Sequence, residues 1–335
     1  MITMDEFIVF FSSLLSTNIK MPAWLEDALE RGLFPFLVPS DRFYWPNIAA
    51  YLLIALVLFL WNKKSPKGFI GYMLPKNIYN FESGSFLLSD LVFFITTGFV
   101  LSIIAGLKSL DNQQELVSVM LPYFPKLTKA RTDLYFFHAL ALHIAVDFGW
   151  YVGHYMFHKN KYLWEFHKVH HAPTALTPLT NKRFHLFEHA CLSLCIFLST
   201  FFVDTVMTCL FVGASGDSDY FKAVAASFAG IVFIVNIPGH LRHSHIWLSY
   251  GRFFSEIFLS PAMHQIHHSE ELIHRDKNFG RDYSFFDRLF GTIYIPKHKE
   301  SFRLGIGGQS NDYVKFFDCL YLPFVRSWNL IKGRR

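Results

Sequence analysis

Charge is scarce in this chain. Only 17% of its 335 residues are Asp, Glu, Lys or Arg, against roughly 25% in a soluble domain. Cysteine is scarcer still. Cys191, Cys195, Cys209 and Cys319 are the four, and no two form a Cys-x-x-Cys pair. A disulfide-stapled module and a thiolate zinc site are thereby excluded. Three of the four lie in one apolar stretch and read as small buried hydrophobes. There is no internal repeat, low-complexity tract or flexible linker, and no Gly-x-Gly-x-x-Gly opening a helix. Neither disorder nor a fused dinucleotide-binding domain is expected. His-Glu-x-x-His, the metalloprotease motif, is missing. So, as a set, are the two Glu and two Glu-x-x-His ligands of soluble di-iron bundles. A net charge of +5 gives a nucleic-acid role little support.

Apolar and aromatic residues are what the chain has in excess, at 52% and 18%, with 39 Phe. Five apolar segments approach the roughly 20 residues that a bilayer crossing needs. They run over Tyr44–Trp61, Phe86–Leu107, Leu134–Phe157, Leu186–Ala214 and Ala223–Pro238. The expected fold is all-α, a multi-pass transmembrane helix bundle with a His-rich cap from about Gly239 onward. The apolar run Phe7–Leu15 follows an acidic N-terminus, which reads as a surface-lying segment rather than a cleaved signal.

Basic residues orient the bundle by the positive-inside rule. Lys63, Lys64 and Lys67 follow the first segment, Lys159 and Lys161 the third, and Lys182 and Arg183 precede the fourth. The tail ends in Lys332, Arg334 and Arg335. Placing these in the cytosol leaves the acidic N-terminal arm and the Gly213–Asp219 turn outside, with Lys126, Lys129 and Arg131 as the misfit. Every dense His cluster then falls on the cytosolic side.

The 17 His are the anomaly. His154 and His158 are four apart at the end of the third segment, so they share a helix face. His143, Asp147 and Tyr151 extend that polar stripe inward, and such a stripe faces a bundle interior rather than lipid. Asp147 has two readings: an acceptor that fixes a ligand imidazole's tautomer, or a buried hydrogen bond to a neighbouring helix. His-x-x-His-His occurs twice, as His167/His170/His171 and His264/His267/His268. Residues i and i+3 share a face and the adjacent His points away, so each motif can serve two metals. His240, His243 and His245 form a fourth group beyond Pro238 and Gly239, with His245 the poorest ligand by spacing. About ten imidazoles are too many for one four-coordinate zinc and suit two metals. Nitrogen-rich sites accept iron, zinc, copper or nickel.

These boxes resemble the membrane fatty acid hydroxylase and sterol desaturase superfamily. The match is His154-x-x-x-His158, His167-x-x-His170-His171 and His264-x-x-His267-His268. Flanking support comes from Asp147-Phe-Gly-Trp-Tyr-Val-Gly-His154, Lys277-Asn-Phe-Gly280 and Phe286-Asp-Arg-Leu-Phe-Gly-Thr292. Tyr155 departs from the Arg common after the first His. The resemblance implies a catalytic domain over 134–296, after an arm and two spans over 1–133 and before a cytosolic tail over 297–335. It implies two iron ions, with zinc possible in purified protein, and O2 as co-substrate. The implied ligands are His154, His158, His167, His170, His171, His264, His267 and His268, with His240 and His243 as an additional pair. Asp147, His185, Glu188 and His245 are expected behind them. The implied activity is hydroxylation or desaturation of a lipid, a sterol or fatty acyl chain, at the cytosolic face of a bacterial inner membrane or endoplasmic reticulum. With no electron-carrying domain in the sequence, a separate electron-donor protein is implied, and no nucleic acid. Two other classes compete. A zinc-dependent membrane hydrolase lacks a nucleophile motif and an evident Glu base. A metal or proton transporter would ladder its His across the membrane and carry an inverted repeat.

Overall fold

Four helices, at Lys161, Leu186, Ser218 and Pro261, start where a polar side chain meets an orphan backbone N–H. The computed structural model describes residues 45–62, 68–73, 86, 88–94, 113–124, 127 and 129–333. The N-terminal arm, most of the second apolar segment and Lys63–Lys67 lie outside them. Among the described residues the order is α1 (Trp45–Asn62), α2 (Gly68–Met73), α3 (Gln113–Met120), α4 (Tyr135–Lys159), α5 (Lys161–His171), α6 (Leu186–Phe211), α7 (Ser218–Asn236), α8 (Gly239–Arg242), α9 (Gly251–Ser255), α10 (Pro261–His267), α11 (Phe285–Leu289) and α12 (Phe316–Ile331). Residues 88–94 are also helical. The β pairing among described residues is confined to two isolated bridges, Phe258–Tyr283 and Ser269–Leu304.

Asn160 separates α4 from α5 and caps the latter, accepting from Tyr162 N at 2.9 Å and Leu163 N at 3.3 Å. The His185 imidazole caps α6 by accepting from Phe187 N at 3.0 Å. Asp217 caps α7 by accepting from Asp219 N and Tyr220 N, so α7 starts five residues before the apolar run at Ala223. Pro238 divides α7 from the short α8. Ser260 caps α10, with Pro261 in its first turn.

Helices α4, α6 and α7 pack together. Gly149 and Gly153 are one turn apart on α4, and a Cβ at Gly149 would lie 2.6 Å from Ile196 Cα. One at Gly153 would lie 2.7 Å from Leu192 Cδ2. This is close small-residue packing of the kind membrane helices use. Ser199 Oγ donates across the same seam to Ala145 O at 2.7 Å.

Polarity is inverted relative to a soluble protein. His138, His143 and Asp147 on α4 are buried, while Leu194, Leu198 and Phe202 on α6 are exposed at one-turn intervals. Two stretches, Leu186–Phe211 and Ser218–Arg242, are long and apolar enough to cross a membrane. Helix α1 is shorter and apolar. Helix α4 is long enough but carries the ionisable stripe.

The C-terminal segment is a packed element rather than a loose tail. Helix α12 lies against α5, with Phe324 edge-on to Phe166 at 5.0 Å. The buried Arg183 guanidinium ties these parts together. It donates to Asp90 Oδ1 at 2.7 Å, to Val169 O at 2.8 Å, to Cys319 Sγ at 3.2 Å and to Tyr313 O.

Candidate metal centre

Nine of the ten imidazoles expected as ligands gather into two groups. His154, His158, His167, His171 and His267 form the first; His170, His243, His264 and His268 form the second. Within each group the candidate ligand atoms all lie within 4.8 Å of one another. The groups abut, since the His171 and His268 rings stack at 4.5 Å.

The division of each His-x-x-His-His motif differs from the expected i and i+3 pairing. On α5, His167 and His171 enter the first group and His170 the second. On α10 and the residue after it, His264 and His268 enter the second and His267 the first. A helix turns about 100° per residue, so i+4 overshoots a full turn by about 40° and i+3 falls short by about 60°. The i, i+4 pair therefore keeps one face and the residue between crosses to the neighbouring group.

His240 joins neither group. Its ring packs against Tyr51 of α1 at 5.8 Å. The chain turns after α8, and that turn brings His243 to the second group instead. His245 packs edge-on to Tyr72 of α2, 5.6 Å away, and is outside both groups.

Nitrogen faces nitrogen across these groups. The Nε2 separations are 3.1 Å for His154–His167, 3.0 Å for His167–His171, 3.3 Å for His170–His243, 3.1 Å for His243–His264 and 3.2 Å for His264–His268. Ligands about 2.1 Å from one ion stand about 3.0 Å apart at right angles and about 3.4 Å apart in a tetrahedron. The spacing fits a shared cation.

The tautomers point the same way. His154 Nδ1 lies 2.8 Å from Phe279 O, His267 Nδ1 2.7 Å from Lys277 O, and His170 Nδ1 3.2 Å from Arg183 O. A carbonyl oxygen only accepts, so each Nδ1 carries the proton and each neutral ring turns a bare Nε2 inward. The buried Nε2 atoms of His158 and His267 have no hydrogen-bond partner. Burial, followed by the neighbouring imidazoles, holds His170, His171, His264 and His268 well below the usual histidine range. Burial likewise brings His267 to about 3. Neutral imidazole is the metal-binding form.

Behind the rings stands a layer that the sequence identified only in part. Glu188 of α6, fully buried, meets His167 Nδ1. His185 works one step further out, its Nε2 against Leu320 O of α12 at 3.0 Å. Asp147 is not on a ligand. It accepts from Asp282 N at 2.6 Å and Tyr283 N at 3.3 Å, and Arg242 donates to Asp282 Oδ1 at 2.6 Å. Together they fix the loop after α10.

That loop explains the Lys277–Gly280 and Phe286–Thr292 signatures. Asp287 accepts from Phe279 N at 2.7 Å, Gly280 N at 2.9 Å and Thr292 Oγ1 at 2.7 Å. Asn278 holds a left-handed backbone, φ 60°. Its amide donates to Met263 O and Tyr294 O, and its side-chain oxygen accepts from Tyr294 N. A Cβ at Gly280 would lie 2.0 Å from Tyr283 O, so only glycine fits. The strap so formed points Lys277 O and Phe279 O at His267 and His154. Asp276, missed by sequence reading, stands 3.7 Å from His158 Nδ1 and 2.6 Å from Lys159 Nζ.

Residues 139–292 match the family model described as fatty acid hydroxylase. Ornithine lipid hydroxylase OlsE of Rhizobium tropici is 29% identical over 194 residues, 57% of this chain and 50% of that protein. Alkylglycerol monooxygenase of Caenorhabditis elegans is 23% identical over 185 residues, 55% of this chain and 32% of that protein. The chain thus spans half or less of the length of these relatives. No solved structure matches it significantly.

Proposed function

We propose that this chain, whose residues 139–292 match the fatty acid hydroxylase family model, is a membrane-embedded, O2-dependent lipid hydroxylase with two iron ions. The observation that carries this is the pair of all-nitrogen groups, five and four imidazoles, with inward Nε2 atoms fixed by carbonyl and carboxylate partners. A lipid substrate is supported by the names of both relatives, and hydroxylation rather than desaturation is supported by the same names.

The overall change inserts one oxygen atom of O2 into a lipid C–H bond. The other leaves as water, with two electrons and two protons from a separate donor protein. When bound, the metal pair supplies the oxygen activation. The chain's own residues do the rest. Phe279 O, Lys277 O and Arg183 O keep the proton on Nδ1, so Nε2 stays a donor toward metal. Glu188 offsets positive charge at His167. Burial of eight of the nine rings, with His158 half-buried, limits water, and so limits the waste of reducing equivalents.

Helices α1, α4, α6 and α7 cross the bilayer in this reading, with the second apolar segment as a further span. The catalytic unit is 134–296. Lys159, Lys161 and Lys182, close in sequence to the ligands, support a cytosolic metal face.

The test is isotopic. Iron-loaded protein in mild detergent is given a chemical reductant, a lipid extract and 18O2. A lipid gaining one 18O atom is expected, and His171→Ala should abolish it. Product whose new oxygen comes from water, or no oxidised lipid from iron-loaded wild type, would overturn the proposal.

A further inference from the structure

The first histidine group opens onto a cavity of about 590 Å³. His158, His171 and His267 reach its wall, beside Trp164 and Ile306. The Trp164 ring lies 5.1 Å from His158 and 5.4 Å from His171. Around these stand four cationic side chains, Lys159, Lys161, Lys168 and Arg275. Two are neutralised locally. Lys159 meets Asp276 at 2.6 Å, and Lys168 meets Glu165 at 2.6 Å. Glu270, also lining the cavity, pairs with Arg303 at 2.5 Å. Lys161 and Arg275 are exposed and have no ion pair among the described residues. Two positive charges at the cavity are thus left for something that arrives. The far side is cleared by glycine: at Gly307 an added Cβ would touch only Glu270 Oε2, 3.8 Å away.

We propose that this cavity is the headgroup site of the substrate, and that it takes an amphiphile with an anionic head, a phosphate or carboxylate, between Lys161 and Arg275. This rests on the lipid-hydroxylase reading above and names its substrate class. The geometry also bears on position. A 590 Å³ space, taken as a cube, is about 8 Å on an edge. Cations and ligand imidazoles line that same space. The C–H bond to be oxidised therefore lies within a few bonds of the anionic head, not far down the tail.

Binding is measured by calorimetry on the full chain in neutral detergent, with hexyl phosphate, inorganic phosphate and hexyl glucoside as probes. Metal content is determined on the same samples. Hexyl phosphate is expected to bind at least tenfold more tightly than inorganic phosphate, and hexyl glucoside not at all. Affinity for hexyl phosphate should fall at least tenfold in the K161E/R275E double variant and weaken with added salt. Should that variant fail to fold, K161A/R275A carries the test, with at least a threefold loss expected. Hexyl phosphate binding unchanged in a folded variant overturns the site. Equal affinity for inorganic phosphate makes it a free-phosphate site and overturns the headgroup claim. No binding by wild type overturns it too, and leaves the two cations to an acidic electron donor. Any of these in protein that retains its metals leaves the hydroxylase reading standing. Folded wild type that takes up no metal counts against that reading alone.

Discussion

At the scale of the residue, the site consists of histidines made poor bases. His267 is held at about 3, chiefly by burial, against an ordinary value of 6.5. Between those two values the unfolded chain binds a proton that the folded ring does not. Stability of the metal-free protein therefore rises with pH. It is full above about 6.5 and lost as pH falls through the window toward 3. One such ring costs about 2 kcal/mol at pH 5. Asp276, lowered to about 2 by His158 first and Lys159 with it, works in the same direction below about pH 4. Thermal unfolding of chelator-treated protein from pH 7.5 to 5 is expected to show a steep fall in Tm. A flat profile would contradict neutral, desolvated rings. That these imidazoles gather was legible in sequence, because the boxes repeat His at i, i+3 and i+4. Their partners were not. Asp147 was expected on an imidazole or a neighbouring helix and instead holds a loop 135 residues away. Asp287 and Asn278 act through backbone groups that only the folded strap presents.

At the scale of the element, the bundle depends on how closely α4 approaches α6. At Gly149 the nearest atoms to an added Cβ are Ser199 Oγ at 2.5 Å and Ile196 Cα at 2.6 Å. A side-chain hydroxyl can rotate away, whereas a backbone atom cannot. Gly149→Val is expected to destabilise by at least about 1–3 kcal/mol, the usual cost of overpacking. Gly230→Ala is the control. It lies within α7 with nothing near its Cβ, so the change should be neutral or stabilise by up to about 1 kcal/mol. Matched melting curves read both, and equal tolerance of the two substitutions would rule out close packing of α4 on α6. The positions of α1, α4 and α6 were legible from hydropathy alone. The start of α7 was not, because its first turn is polar and depends on Asp217 as a cap. His240 and His243 were indistinguishable in sequence because the turn after α8 decides which of them faces the ligand groups.

At the scale of the whole molecule, two membrane-compatible helices and a stripe-bearing third carry a dense histidine cap. Arg183 and the 277–280 strap tie distant segments to it. The resemblance seen in three His boxes agrees with the family match over 139–292. How the boxes divide between the two imidazole groups became visible only in three dimensions. That division is also what the two-metal claim most needs tested. His170 and His171 are neighbours on α5 yet belong to different groups. Elemental mass spectrometry on wild type, His170→Ala and His171→Ala, each purified from iron-supplemented medium, addresses it directly. The expected result is about two metal ions per chain in wild type and about one in each single variant. Variants that keep both ions, or a folded wild type that holds none, would contradict the account.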